Sequence, residues 1–314
     1  MKRIVSTVAV AVLAMTFAAC GSHTDSVTAP RSLQLSADDT LQAVTHSAVQ
    51  ATMADVDVLT SAAAPVGFDV AVAPFAPLSF GVAGPTSAAN DFASSGCTLN
   101  ASTGRFDCPP VVNSNGITVT RSLALYVANG ALMSKFDSTT ASMNVQSTEV
   151  GVRTGAAGAD TISRARNLTA TGLLGHNTTR TWNGTGGGTS GGYWADSVAS
   201  RTADTQETSI FTSIVVQLPR SQNPYPISGT ISRQVTGTGQ VTKNGQTKPI
   251  TINRAVLITF NGTEFVPMTV GSVNYILDLA TGKATAALSL PAGRSTSMVS
   301  APRERRAQRP TSTP

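Results

Sequence analysis

Ser190 has the surroundings that come closest to those of a nucleophile. Gly188-Thr189-Ser190-Gly191-Gly192 spells G-x-S-x-G, which in serine hydrolases marks a strained strand-to-helix turn that exposes the hydroxyl. Such a serine needs a histidine base and a carboxylate to orient it. The histidines are His23, His46 and His176. His176 precedes the serine, opposite to the order in that family, and no apolar strand or helical pattern flanks the motif. Gly184 to Gly192 therefore reads as a mobile loop, and the chain as non-enzymatic. An envelope hydrolase is the remote alternative.

Other chemistry is sparse. Scattered histidines and few cysteines give no zinc set. Asp55 and Asp57 fall short of a calcium loop. There is no G-x-x-x-x-G-K-[ST] phosphate loop and no strand-to-helix G-x-G-x-x-G. Few acids and aromatics argue against a glycosidase pair. No metal site and no cofactor are expected. Cys97 and Cys108 flank turn formers from Asn100 to Gly104 and are expected to form a disulfide in an oxidising compartment. Trp182, Tyr193 and Trp194 border the glycine run as a candidate ligand or partner surface, with local packing as the alternative.

Arg121, Arg153, Arg164, Arg166, Arg180, Arg201, Arg233 and Arg254 lie in or beside Thr- and Ser-rich segments. One reading is a polar sheet face that meets a saccharide or an anionic headgroup. The preferred reading is a solvent-facing face whose arginines discourage edge pairing.

These residues need elements to position them. Ser36, Asp38 and Asp39 look like a helix start, and Leu41, Val44, Ala48, Val49, Met53, Val56 and Leu59 follow at helical spacing. The pattern predicts one amphipathic helix over 36–64, ending before Pro65. Prolines at 65, 74, 77 and 85 make 65–95 irregular. From Gly116 the pattern alternates, with Ile117, Val119, Leu123 and Leu125 on one face. Asn129-Gly130 suits a tight turn. Further strands are predicted at 142–150, 160–170, 178–183, 209–218, 227–236, 250–261, 264–270, 273–279 and 283–290. Regular spacing and short turns imply an antiparallel meander or barrel.

Thr161-Ile162-Ser163-Arg164 recurs as Thr230-Ile231-Ser232-Arg233, and Trp182-Asn183-Gly184-Thr185 as Phe260-Asn261-Gly262-Thr263. This suggests an internal duplication (161–185 and 230–263) with the aromatic-Asn-Gly segments at equivalent hairpin ends; chance matching in a Thr/Gly-rich chain is the alternative. The expected fold is mainly β: a curved antiparallel sheet or incompletely closed barrel, its concave side partly covered by the N-terminal helix. A two-sheet sandwich is the alternative. A membrane-spanning barrel is disfavoured by the lack of aromatic girdles.

The first twenty residues carry an address. Lys2 and Arg3 precede an apolar run, Ile4 to Phe17, too short for a permanent span. Phe17-Ala18-Ala19-Cys20 follows, and it resembles the lipobox of bacterial lipoproteins, with Phe17 where leucine is usual. The resemblance implies a signal peptide over 1–19 and a diacylated Cys20 at the new N-terminus. Residues 20–35 form the lipidated cysteine and a flexible tether, 65–292 the β domain, and 293–314 a disordered basic tail. Gly21 after Cys20 favours the outer membrane under the sorting rule that accompanies the lipobox.

Only 12% of residues are charged. The net charge of +5 is concentrated at the two ends, so the middle is near neutral and carries no nucleic-acid footprint. Two functional classes fit. One is a membrane-anchored, non-enzymatic binding or structural lipoprotein of the cell envelope, its partner a lipid, a saccharide or an envelope protein. The other is a carrier of a lipid or another apolar molecule. The carrier requires Ile117, Val119, Leu123 and Leu125 to line an open cavity; sealing by the helix favours the binding or structural module.

Overall fold

The computed structural model describes residues 32–61, 96–113, 116–155, 158–174, 177–220 and 222–287. The expected signal peptide, Cys20, the tether up to residue 31, the proline-rich segment, His23, His176 and the basic tail lie outside the described residues.

Helix α1 (Ser32–Ser61) is followed by β1 (Thr98–Asn100), β2 (Arg105–Val112), β3 (Thr118–Val127), β4 (Leu132–Met133), β5 (Thr140–Gly155), β6 (Gly158–Thr171), β7 (Thr179–Ala195), β8 (Ser200–Gln217), β9 (Ser228–Lys243), β10 (Gln246–Thr259), β11 (Phe265–Val270), β12 (Val273–Asp278) and β13 (Lys283–Ala286). All belong to one antiparallel sheet in chain order, except that β4 folds back beside β3. β1 and β13 are not paired with each other, so the sheet is open. It is the mainly β, curved antiparallel architecture with an N-terminal helix expected from the sequence, and not a two-sheet sandwich.

The sheet curls around α1. One helix reaches Asp160 on β6 through His46, and Gly282 at the start of β13 through Met53. Ala43, Val44, Ala48, Val49, Ala51, Val56, Val58 and Leu59 are all at most 4% exposed. The helix is therefore an interior element along most of its length, not an amphipathic cover with a wet face. It also begins at Ser32, four residues before the predicted start at Ser36. Leu123 and Leu125 are sealed into the same core as Val44, Val56, Leu59, Trp182 and Phe211. Ile117 and Val119 form a separate small cluster with Ile162.

The expected mobile loop at 184–192 is strand. β7 runs unbroken through it, paired residue by residue with Gly158–Thr171 of β6 and with β8, apart from one bulge near Asn183. Glycine weakens a strand on its own, but two full ladders of neighbours override that propensity. The bare positions also have a packing role. A Cβ on Gly188 would come within 2.2 Å of the Ser163 carbonyl, and one on Gly186 within 3.3 Å of Arg166 Cγ. The same support lets β8 start at Ser200, nine residues before the predicted start.

Cys97 and Cys108 form the expected disulfide and clamp the β1–β2 hairpin at the sheet edge. Asn129-Gly130 makes the expected tight turn, with Gly130 at φ 84° and the Asn129 side-chain Oδ1 accepting from the Ala131 N–H. The two Thr-Ile-Ser-Arg segments lie on β6 and β9, three strands apart and therefore antiparallel. The aromatic-Asn-Gly segments are not at equivalent hairpin ends: Trp182–Gly184 sits inside β7, whereas Asn261-Gly262 lies between β10 and β11.

Candidate functional site

The arginines do not face solvent as preferred from the sequence. Strand alternation puts Arg164 and Arg166 on the same face of β6 as Ile162 and Leu168, and that face is the interior. Arg164, Arg166, Arg180, Arg201 and Arg233 are all buried. Their burial is tolerable because partners converge on them. Asp55 of α1 accepts from Arg166 Nε at 2.5 Å and from Arg233 Nη2. Arg166 Nη1 lies 2.9 Å from Glu149 on β5. Glu207 on β8 accepts from Arg164 Nε at 3.1 Å, with Arg233 Nη1 3.7 Å away.

Three cations and three anions thus share one seam beneath the helix. Burial alone would raise the Asp55 pKa, but Arg233 and Arg166 outweigh it and hold the carboxyl below the usual aspartate range. Burial likewise opposes the charge on Arg166, and Asp55 with Glu149 secures it. Asp57, one turn-half further on, is pushed up by burial despite nearby Arg121. Arg164 Nη1, Arg233 Nε and Glu207 Oε2 are buried without a hydrogen-bond partner among the described residues. A seam built this way fixes the position of the helix more than it maximises stability.

A second polar cluster lies at the middle of α1. His46 Nε2 is 3.2 Å from Asp160 Oδ2, and the imidazole stacks on Trp194 with centroids 4.7 Å apart. Ser190 Oγ lies 2.8 Å from Thr205 Oγ1, with Ser47 Oγ 3.3 Å from Thr205. These side chains line a cavity of about 20 Å³ together with Arg153 and Gln50, room for about one water. The structure thus gathers Ser190, His46 and a carboxylate that the sequence left apart. The geometry is not that of a triad. Ser190 is in mid-strand, its hydroxyl bonds to other hydroxyls, and no hydrogen bond joins it to His46 among the described residues. The cluster seats α1 against β6, β7 and β8.

The three aromatics do not form one surface. Trp182 is completely buried in the core, because its position on β7 points inward next to Phe211 and Ile214 of β8. Trp194 also points inward, under His46, while Tyr193 faces solvent at 49% exposure. Arg180 donates to the carbonyls of Gly172, Asn177 and Thr179, and Arg201 pairs with Asp196 and Asp39. Among the described residues no cluster of three His, Cys, Asp or Glu is placed to hold a metal ion. No described helix is long and apolar enough to cross a membrane, which says nothing about strands.

The solvent side of the sheet carries a groove of about 720 Å³ over β3, β5, β6 and β7. Sequence reasoning missed it. Two rows of outward residues cross it: Thr120, Thr148, Ala165 and Gly187, then Ser122, Gln146, Asn167 and Thr185. Thr120 and Thr148 share a hydrogen bond of 2.5 Å, and Asn144 Nδ2 donates to Asn167 Oδ1 at 2.6 Å.

Comparison with protein-family models, with curated proteins and with solved structures finds no match to this chain.

Proposed function

We propose that this chain is a lipid-anchored, non-enzymatic binding module of the bacterial cell envelope, held at the outer membrane through Cys20, with the solvent side of its sheet as the working surface. The observation that supports this reading is the occupied interior. α1 fills the space inside the curled sheet, and Leu123 and Leu125 pack in its core. The carrier reading would need that space for its cargo. The groove on the opposite face, by contrast, has the volume of a ligand site.

The experiment uses the full chain expressed in a Gram-negative host, with membrane fractionation and intact mass measurement, followed by solvent extraction. A mass gain of a diacylglyceryl group on an N-terminal Cys20, with release to the soluble fraction in Cys20→Ser, is expected. No lipid beyond the covalent anchor should be extracted. Cleavage without acylation would overturn the anchor, and a stoichiometric extracted lipid would replace the binding module with a carrier.

A further inference from the structure

We propose that the solvent-side groove over β3, β5, β6 and β7 binds a neutral oligosaccharide. This rests on the working surface assigned above and gives its ligand a chemical class.

The floor of the groove is bare. Ala165 and Gly187 sit opposite each other across the β6–β7 ladder, both on the outward face. The interior seam accounts for Gly186 and Gly188, whose added Cβ atoms would meet Arg166 and Arg164. Gly187 points the other way, and there an added Cβ would come within 2.8 Å of the Glu207 carbonyl oxygen of β8, so the ladder itself keeps this part of the floor free of a side chain.

The walls are neutral hydrogen-bonding groups. Gln146 has no hydrogen-bond partner among the described residues, so its carbonyl and amide are both available. The Asn167 carbonyl oxygen is taken by Asn144, which turns its NH₂ into the outward donor. Thr185 and Ser122 add hydroxyls at either end of the same row. Donors and acceptors mixed in this way suit alcohol groups, which need both. The one acid on the rim, Asp107, accepts from Asn100 Nδ2 at 3.1 Å. Arg166 borders the groove through its backbone, and its guanidinium is committed to Asp55 and Glu149 inside. Arg121 also lines the groove, with Asp57 and Glu149 as its neighbouring carboxylates, and beside the row Arg105 donates to Ser122 and to Asn144 Oδ1; the groups left open in the two rows are the neutral ones.

A peptide is disfavoured by position. Adding a strand requires a free edge, whereas β5, β6 and β7 have both edges paired here. Only side chains can recognise the ligand. Four strands at their usual spacing span about 15 Å, enough for several sugar rings laid across them.

The test uses the full chain in a zwitterionic, sugar-free detergent, titrated calorimetrically with chitohexaose, cellohexaose and maltohexaose. Saturable binding of at least one, with a Kd of about 1 mM or tighter, is expected. Gln146→Ala and Asn167→Ala should each weaken it about tenfold. Ala165→Glu, at an exposed position, should abolish it with Trp194 fluorescence unchanged. Asn253→Ala, outward on β10, should bind as the parent does. No binding of any of the three up to about 10 mM, or binding that survives Ala165→Glu, would overturn the proposal. An anionic polymer or peptide captured instead, and lost in Ala165→Glu, would overturn the saccharide assignment but leave the working surface in place. Lipid extracted from the interior would remove that surface reading itself.

Discussion

Asp55 to Asn would remove one charge from a balanced set of six and leave Arg166 and Arg233 facing each other out of water. Breaking a buried pair this way costs about 3–5 kcal/mol, which a denaturant midpoint should report. The pH response has two opposite parts. The Asp55 pKa is held low, so its contribution is fully present above the usual value of 3.8 and is lost as pH falls through the lower folded value. The Asp57 pKa is raised, so its contribution favours the fold in acid and is lost as pH rises from 3.8 through the raised value. Asp57→Asn should therefore stabilise the protein near neutrality and have no effect in strong acid, as urea titrations across that range would show. At this scale the sequence was partly legible. Ile162, Arg164, Arg166 and Leu168 alternate in phase, which already puts the arginines on an apolar face. What a linear reading lacks is the partner: Asp55 is 178 residues from Arg233, and nothing local announces that meeting.

Among the elements, β7 is the most informative. Its glycines read as a loop because propensity is local, while the ladders that hold it come from β6 and β8. Gly188→Val should destabilise the fold by about 1–3 kcal/mol or more, since the new side chain meets the Ser163 backbone. The same change at Gly245, where no atom lies within 4 Å of an added Cβ, would instead act through its positive φ of 73°. The disulfide is a separate matter. It closes a short hairpin at the sheet edge, so Cys97→Ser with Cys108→Ser should cost about 2–3 kcal/mol and raise hydrogen exchange in β1 and β2 first. The helix was legible as a helix from its spacing. That it is enclosed was not, because Asp55, Thr52 and Thr60 look like a polar face until their partners are known. Thr52 and Thr60 satisfy themselves on the carbonyls of Ala48 and Val56, and Asp55 does so on the sheet.

For the whole molecule, the meander makes most strand pairs neighbours in sequence, yet α1 joins strands from β6 to β13. The sheet and the helix should therefore unfold as one unit. Far-ultraviolet circular dichroism and tryptophan fluorescence are expected to give coincident denaturation curves. An earlier fluorescence transition would mean that His46 leaves Trp194, and α1 its seat, before the strands separate. The curved antiparallel class was readable from alternation and turns. The groove was not, because outward Thr, Gln and Asn residues look alike until the strand registers align Ala165 with Gly187.

The place of α1 also decides how the molecule bears a mechanical load. If Cys20 carries the proposed lipid anchor, a pull on it would reach the described fold first at the N-terminal end of α1. Asp55 with its two arginines, His46 with Asp160 and Asp39 with Arg201 would then be strained together in shear. Among the described residues, a pull from the other end would first meet β13, four residues long and paired with β12 alone in the sheet, and would peel strands away in succession. With the anchor proposed at Cys20, the load would fall on these buried helix contacts together rather than on one strand edge.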